Sequence, residues 1–125
     1  MTIEQLHQMA HEKALQAGIN SEPIPMIVGD AKGLLSNEID YTKKVYHVSE
    51  GVCGFAWVNI KPANSKFAKY LREIGVARKD SYRGGISMSV FEFGQSLTRK
   101  EAYADAYAST LREYGIKAYA ESRMD

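Results

Sequence analysis

The stretch GISMSVFEFGQSLTRKEAYADAYASTLREYGIKAYA, residues 85–120, sets the architecture. Ile86, Met88 and Val90 alternate with Ser87 and Ser89, the period of a strand covered on one face. Thr98-Arg99-Lys100-Glu101 then has the spacing of a capping box. Tyr103, Tyr107, Leu111 and Tyr114 recur on one helical side, and Gly115 stops the run. Residues 116–120 return to strand. A strand, a helix and a strand this close together require the helix to pack on the sheet they build.

Upstream the same punctuation recurs. Leu71-Arg72-Glu73-Ile74-Gly75-Val76 matches Leu111-Arg112-Glu113-Tyr114-Gly115-Ile116, and each places a Leu before and a β-branched residue after the Gly, as in a Schellman ending. A second helix therefore begins after Asn64 or Ser65, buries Phe67, Leu71 and Ile74, and ends at Gly75. Thr2-Ile3-Glu4-Gln5 opens a first helix over about Ile3 to Ala17, with Ile3, Leu6, Ala10 and Ala14 as its apolar stripe and Gly18 closing it in the left-handed conformation. Strands are expected at 25–28, 43–48, 52–60, 85–93 and 116–120. Ser49-Glu50-Gly51 should join the second and third as an antiparallel hairpin. Residues 29–38 read as a long surface loop, either a lid or a mobile connection. The expected fold is α+β: an antiparallel or mixed sheet of about four to five strands, two helices packed on it, and an additional N-terminal helix. Trp57, Phe67, Leu71, Val90, Leu111 and Ile116 belong in its core.

The 125 residues suit one domain spanning 1–125, and 45% hydrophobic with 25% charged residues is an ordinary globular composition. The single cysteine, Cys53, sits in the apolar run 52–58, reads as a small packed hydrophobe and has no internal disulfide partner. No leader pattern and no apolar stretch of ~20 residues is present, so a cytoplasmic protein off the membrane is expected. Net charge is +1 but uneven: residues 61–100 hold nine Lys/Arg against three Asp/Glu. That makes a basic face, though too small a total for tight nonspecific binding to duplex nucleic acid.

Catalytic patterns are thin. His7 and His11 stand at i and i+4 without a third metal ligand, and solvent-exposed histidines are the expected reading. No Gly-x-Ser-x-Gly and no Gly-rich phosphate loop occurs, and Cys53 lacks a paired base. Glu92 either shares the apolar face of its strand, which would raise its pKa for acid or base work, or has reached the strand end and water. No enzyme activity, cofactor or metal is expected.

Arg99 and Lys100 are the anomaly. They occupy the first turn of the third helix, where the macrodipole disfavours cations by about 0.3 to 1 kcal/mol each. An anion seated on the free N–H groups there would offset that. If the preceding strand continues to residue 93, Phe91 and Phe93 stand beside Gln95, Ser96 and Thr98, giving stacking platforms next to hydroxyl and amide groups. Arg83 comes from the Gly84-Gly85 loop, with Arg78 and Lys79 close in sequence, and Arg123 is a further cation. Arg83, Phe91, Phe93, Gln95, Ser96, Thr98, Arg99, Lys100 and Arg123 are thus the candidate ligand-binding set for a small anionic nucleotide. The bland alternative places Phe91 and Phe93 in the core and the cations on a solvated rim. On the dipole argument alone, replacing Arg99 and Lys100 with Glu would leave the protein as stable or more so. The Ala and Tyr surface of the third helix exceeds what one sheet can cover, which points to a homo-oligomer.

Gly51-Val52-Cys53-Gly54-Phe55-Ala56-Trp57-Val58, Asn64-Ser65-Lys66-Phe67-Ala68, Gln95-Ser96-Leu97-Thr98-Arg99-Lys100-Glu101-Ala102-Tyr103-Ala104 and Arg123-Met124-Asp125 resemble a family of small tailed-phage proteins over about residues 45–125. Within that group the resemblance points to the anti-Thoeris sponges, which sequester the cyclic ADP-ribose signal of bacterial TIR enzymes without cleaving it. It implies an oligomeric α+β ligand trap working as a counter-defence protein in the cytoplasm of an infected host. It transfers no binding residues, so the set above rests on physical argument. Two other classes stand beside it: a phage inhibitor that docks on a host defence or nucleic-acid enzyme through the basic surface, and a small nucleotide hydrolase.

Overall fold

Each helix begins where a side-chain oxygen accepts one of the first free N–H groups. The computed structural model describes residues 1–22 and 51–125, together with the strand backbone at Met26–Gly29 and Val45–Val48. Thr2 caps α1 (Ile3–Asn20) with a full capping box, its hydroxyl accepting from Gln5 N while Gln5 Oε1 accepts from Thr2 N. Ser65 Oγ accepts from Ala68 N ahead of α2 (Lys66–Glu73). Ser96, not Thr98, caps α3 (Leu97–Glu113), accepting from Arg99 N. The matched endings of α2 and α3 are Schellman turns: Val76 N donates to Leu71 O and Ile116 N to Leu111 O, both at 3.1 Å, with Gly75 and Gly115 at φ of 81° and 80°.

Strand pairing differs from the sequence expectation. β1 (Met26–Gly29) and β2 (Val45–Val48) pair antiparallel with each other, so the hairpin expected between the second and third strands does not form. β3 (Gly54–Lys61) instead pairs along its whole length with β6 (Lys117–Met124), and on its other side with β5 (Ile86–Ser89). An eight-residue ladder outweighs a local turn signal. β4 (Arg78–Lys79) completes a four-stranded antiparallel sheet of order β4-β5-β3-β6. From β3 onward the chain runs strand, helix, strand, strand, helix, strand, the split βαβ topology of ferredoxin-like folds. The expected loop at 29–38 lies outside the described residues apart from Gly29, which ends β1.

The sheet buries Ala56, Val58 and Ile60 of β3 with Ile86 and Met88 of β5 and Ala118 of β6. Phe67 and Leu71 of α2 and Leu111 of α3 close over them. Leu71, Leu111, Phe67 and Val90 are core as expected, but Ile74 and Tyr114 are 43% and 50% exposed. Trp57 is only half-buried, because its position in the alternation faces the other side of the sheet. Ile116 is likewise half-buried, packed against the core. Cys53 is exposed, having been left outside β3.

α1 covers the side of α3 that faces away from the sheet, burying Leu6, Ala10 and Ala14 against it. Tyr103 and Tyr107 are sealed in this seam with their rings stacked at 6.2 Å. Their hydroxyls lie 2.6 Å from His11 Nδ1 and 2.8 Å from His7 Nδ1. The histidines are therefore half-buried partners of tyrosines, contrary to the solvent-exposed pair expected from sequence. Burial raises both tyrosine pKa values, so the phenols stay neutral, and burial with the neighbouring His11 lowers that of His7. Of the Ala and Tyr surface on which the homo-oligomer expectation rested, Tyr103, Ala104, Tyr107 and Ala108 are buried within the chain and Tyr114 is exposed. Among the described residues no helix is long and apolar enough to cross a membrane.

Gly18 does not close α1. It lies inside the helix, buried, and a Cβ there would meet the Phe93 ring at 2.3 Å. Phe93 itself has φ of 70°, uncommon for a bulky residue, because β5 ends at Ser89 and the chain turns sharply to bring this ring onto α1. Gly18→Ala should cost about 1 to 3 kcal/mol through overpacking. Adding Phe93→Leu should recover part of that loss in urea denaturation, a rescue that a simple loss of helix-end conformational freedom would not give.

The His7 seam makes stability depend on pH with a defined sign. Its folded pKa lies below the usual 6.5, so the native state binds fewer protons than the unfolded chain between the two values. This contribution is full above pH 6.5 and is lost as the pH falls through the folded value. Thermal midpoints measured from about pH 7.5 down to 5 should drop, and His7→Gln should flatten that drop.

Candidate ligand-binding face

The alternation that packs β3 onto the helices also sets what points away from them. Phe55, Trp57 and Asn59 stand opposite Arg123, Glu121 and Tyr119 of β6, while Ser89 and Ser87 of β5 lie across from Trp57 and Asn59. Among the described elements both helices of the split βαβ unit pack on the other face, and Phe55 and Tyr119 are 39% and 54% exposed. Asn59 is buried because its Nδ2 donates to Gly84 O at 2.9 Å and Ile86 O at 3.2 Å, fastening the turn between β4 and β5 to the sheet.

Asp80 shapes that turn. Its Oδ1 accepts from Arg83 N at 2.8 Å and Tyr82 N at 3.0 Å, and its Oδ2 accepts from Ser87 Oγ at 2.7 Å. The Arg83 N–H, then the Ser87 hydroxyl, hold its carboxyl down at about 2, so it is charged at any physiological pH. Arg83 is thereby sent across the sheet. Its guanidinium carbon sits 4.8 Å from the centre of the Trp57 ring, and its Nε donates to Glu121 Oε2 at 2.5 Å. The indole Nε1 of Trp57 is buried and has no acceptor, the one such side-chain atom among the described residues. An unpaired buried donor costs about 1 to 3 kcal/mol.

Arg78, Lys79, Arg83 and Arg123 line a basin of about 450 Å³ over this indole, with the Ser81, Ser87 and Ser89 hydroxyls on its walls. The two carboxylates nearby are engaged, Asp80 by its turn and Glu121 by Arg83. The basin can hold an oxyanion by charge and a flat ring by stacking.

The nine expected site residues do not form one site. Arg83 and Arg123 belong to this basin. Phe93, Gln95, Ser96 and Arg99 line a separate cleft of about 630 Å³ between the end of α1 and the start of α3, where Ile19, Val52 and Cys53 add an apolar wall. Lys100 is buried, its Nζ 3.5 Å from Gly54 O and 5.8 Å from the centre of the Phe55 ring. Phe91 is 82% exposed and Thr98 is half-buried, and neither lines the basin or the cleft. Phe91 and Phe93 do not share a strand face with Ser87 and Ser89, because β5 stops at Ser89.

The dipole anomaly has an intramolecular cause. Arg99 Nη1 donates to Gly18 O and Ile19 O, both at 2.9 Å, so the cation at the start of α3 satisfies carbonyls at the end of α1. Sequence reasoning missed Trp57 and the serine-lined basin. The signal was present in residues 54–61, where the aromatic and polar side chains fall on the positions alternating with Gly54, Ala56, Val58 and Ile60. Among the described residues no group of three or more His, Cys, Asp or Glu is placed to hold a metal ion.

Arg99→Ala should destabilise the protein by about 1.5 to 3 kcal/mol, and the Arg99→Glu, Lys100→Glu double variant by more, opposite to what the dipole of α3 alone favours. Denaturant midpoints of the two variants check this. In comparison with known proteins, no family model, no curated protein and no solved structure matches the chain.

Proposed function

We propose that this chain binds a phosphorylated ligand carrying a flat ring, a nucleotide, on the outer face of its sheet and holds it without turnover. The observation that carries the reading is the Arg83 guanidinium laid over the Trp57 ring inside a basin with three further cations. A ring and a guanidinium held together among further cations suit a ligand that offers a flat ring and a phosphate. The arginines of the lining do not act as acids or bases near neutrality, and Asp80 is held charged in its turn as an acceptor. Such a set neutralises and orients a ligand.

The cyclic ADP-ribose signal implied by the phage-protein resemblance is one member of this ligand class, with a ring to stack and a pyrophosphate to pair. Sequestration as a counter-defence sponge would need affinity and slow release, which stacking and charge-assisted hydrogen bonds supply.

The sole tryptophan provides the readout. Adding ADP, ADP-ribose or cyclic ADP-ribose should change Trp57 fluorescence saturably, and Arg83→Ala or Arg123→Ala should each weaken binding by about tenfold or more with little change in melting temperature. Arg99→Ala should show the reverse, lower stability with binding retained. No saturable response to any of these ligands, or binding unaltered by both basin variants, overturns the reading.

A further inference from the structure

Trp57 is not the only ring on the open face. Phe55 precedes it by two residues on β3, and Tyr119 stands on β6 opposite Asn59, so the three aromatics occupy successive rungs of one sheet surface. Rungs on one face repeat about every 7 Å along a strand, a spacing comparable to that of successive nucleotides in an extended single strand. Each ring also carries an arginine: Arg123 lies 5.1 Å from the centre of Phe55, Arg83 4.8 Å from Trp57 and Arg112 5.8 Å from Tyr119. A free mononucleotide would use only one of these three pairs. Repetition of a ring beside a cation along a line is the pattern that a phosphodiester chain with stacking bases fits, base on ring and phosphate beside guanidinium.

We propose that the natural ligand of this face is a single-stranded oligonucleotide, held over about three nucleotides by Phe55, the Trp57 and Arg83 pair, and Tyr119. The inference rests on the nucleotide-binding reading of the basin and extends it along the sheet. Duplex is excluded by the same geometry, because its bases are stacked on each other and cannot reach the rings. Glu121, which stands between Arg123 and Tyr119 on β6, is neutralised by Arg83 and marks where a phosphate would compete for that guanidinium.

The test uses the full chain and its Trp57 fluorescence with adenosine monophosphate and with oligoadenylates of two, three and four nucleotides, in RNA and DNA series. Affinity should rise by about tenfold per added nucleotide up to three and then level off. For the trinucleotide, log affinity should fall with log salt with a slope of about −2. Phe55→Leu and Tyr119→Leu keep apolar area and fold but remove the ring. They should weaken trinucleotide binding by tenfold or more while leaving the monophosphate unchanged. Tighter binding of one series identifies the strand as RNA or DNA, and either supports the proposal. If the monophosphate or ADP-ribose binds as well as the trinucleotide, if the Leu variants bind the trinucleotide normally, or if duplex binds equally, the oligonucleotide proposal falls while the nucleotide reading stands. If no nucleotide of any length binds, both fall.

Discussion

α3 is covered on two sides, by the sheet and by α1, and this double burial constrains everything around it. A helix enclosed this way has to find partners for its polar side chains inside the protein. Tyr103 and Tyr107 do so through the imidazoles of His11 and His7, and Arg99 does so through the last carbonyls of α1. Each bond joins residues some 80 to 100 positions apart, so α1 and the split βαβ unit are tied by hydrogen bonds that position α1 as well as by apolar contact. Phe93 adds a steric key to the same seam by filling the space that Gly18 leaves.

Among the described residues one face of the sheet is spent on helices and the other carries none, and the alternation of β3 decides the chemistry of that second face. The same eight residues deliver Ala56, Val58 and Ile60 to the core and Phe55, Trp57 and Asn59 to the opposite side. The turn held by Asp80 then lays Arg83 over the half-buried indole. A rigid strand and an anchored turn thus supply the two halves of the basin, which lets ring and guanidinium keep a fixed separation.

Local chemistry was legible in the sequence and partnership was not. The Leu and Gly of the two Schellman endings, the Thr2 capping box and the helical spacing of Phe67, Leu71 and Leu111 gave three helices on a sheet, because those signals act within a few residues. The Arg99 anomaly was real, but its cause sits at Gly18 and Ile19, far away in sequence, and an anion was inferred where a helix end serves. The apparent strand 85–93 failed at its second half because tertiary packing of Phe93 on α1 overrides local alternation. Of the expected site only Arg83 and Arg123 reached the basin, since which strands are neighbours determines which cations meet, and that pairing is invisible to a one-dimensional pattern.

The sheet order leaves β6 as an outer strand, eight residues long and so the longer of the two edges. A strand of that length presents a row of carbonyls to which another chain could add. Arg112, in the last turn of α3, donates from Nη1 to Ala118 O at 2.6 Å, and Lys117, Glu121 and Arg123 place charges along the same strand. The helix end therefore caps one of the positions where a foreign strand would dock, and the charges spaced along β6 disfavour the edge-to-edge addition that its length would otherwise invite.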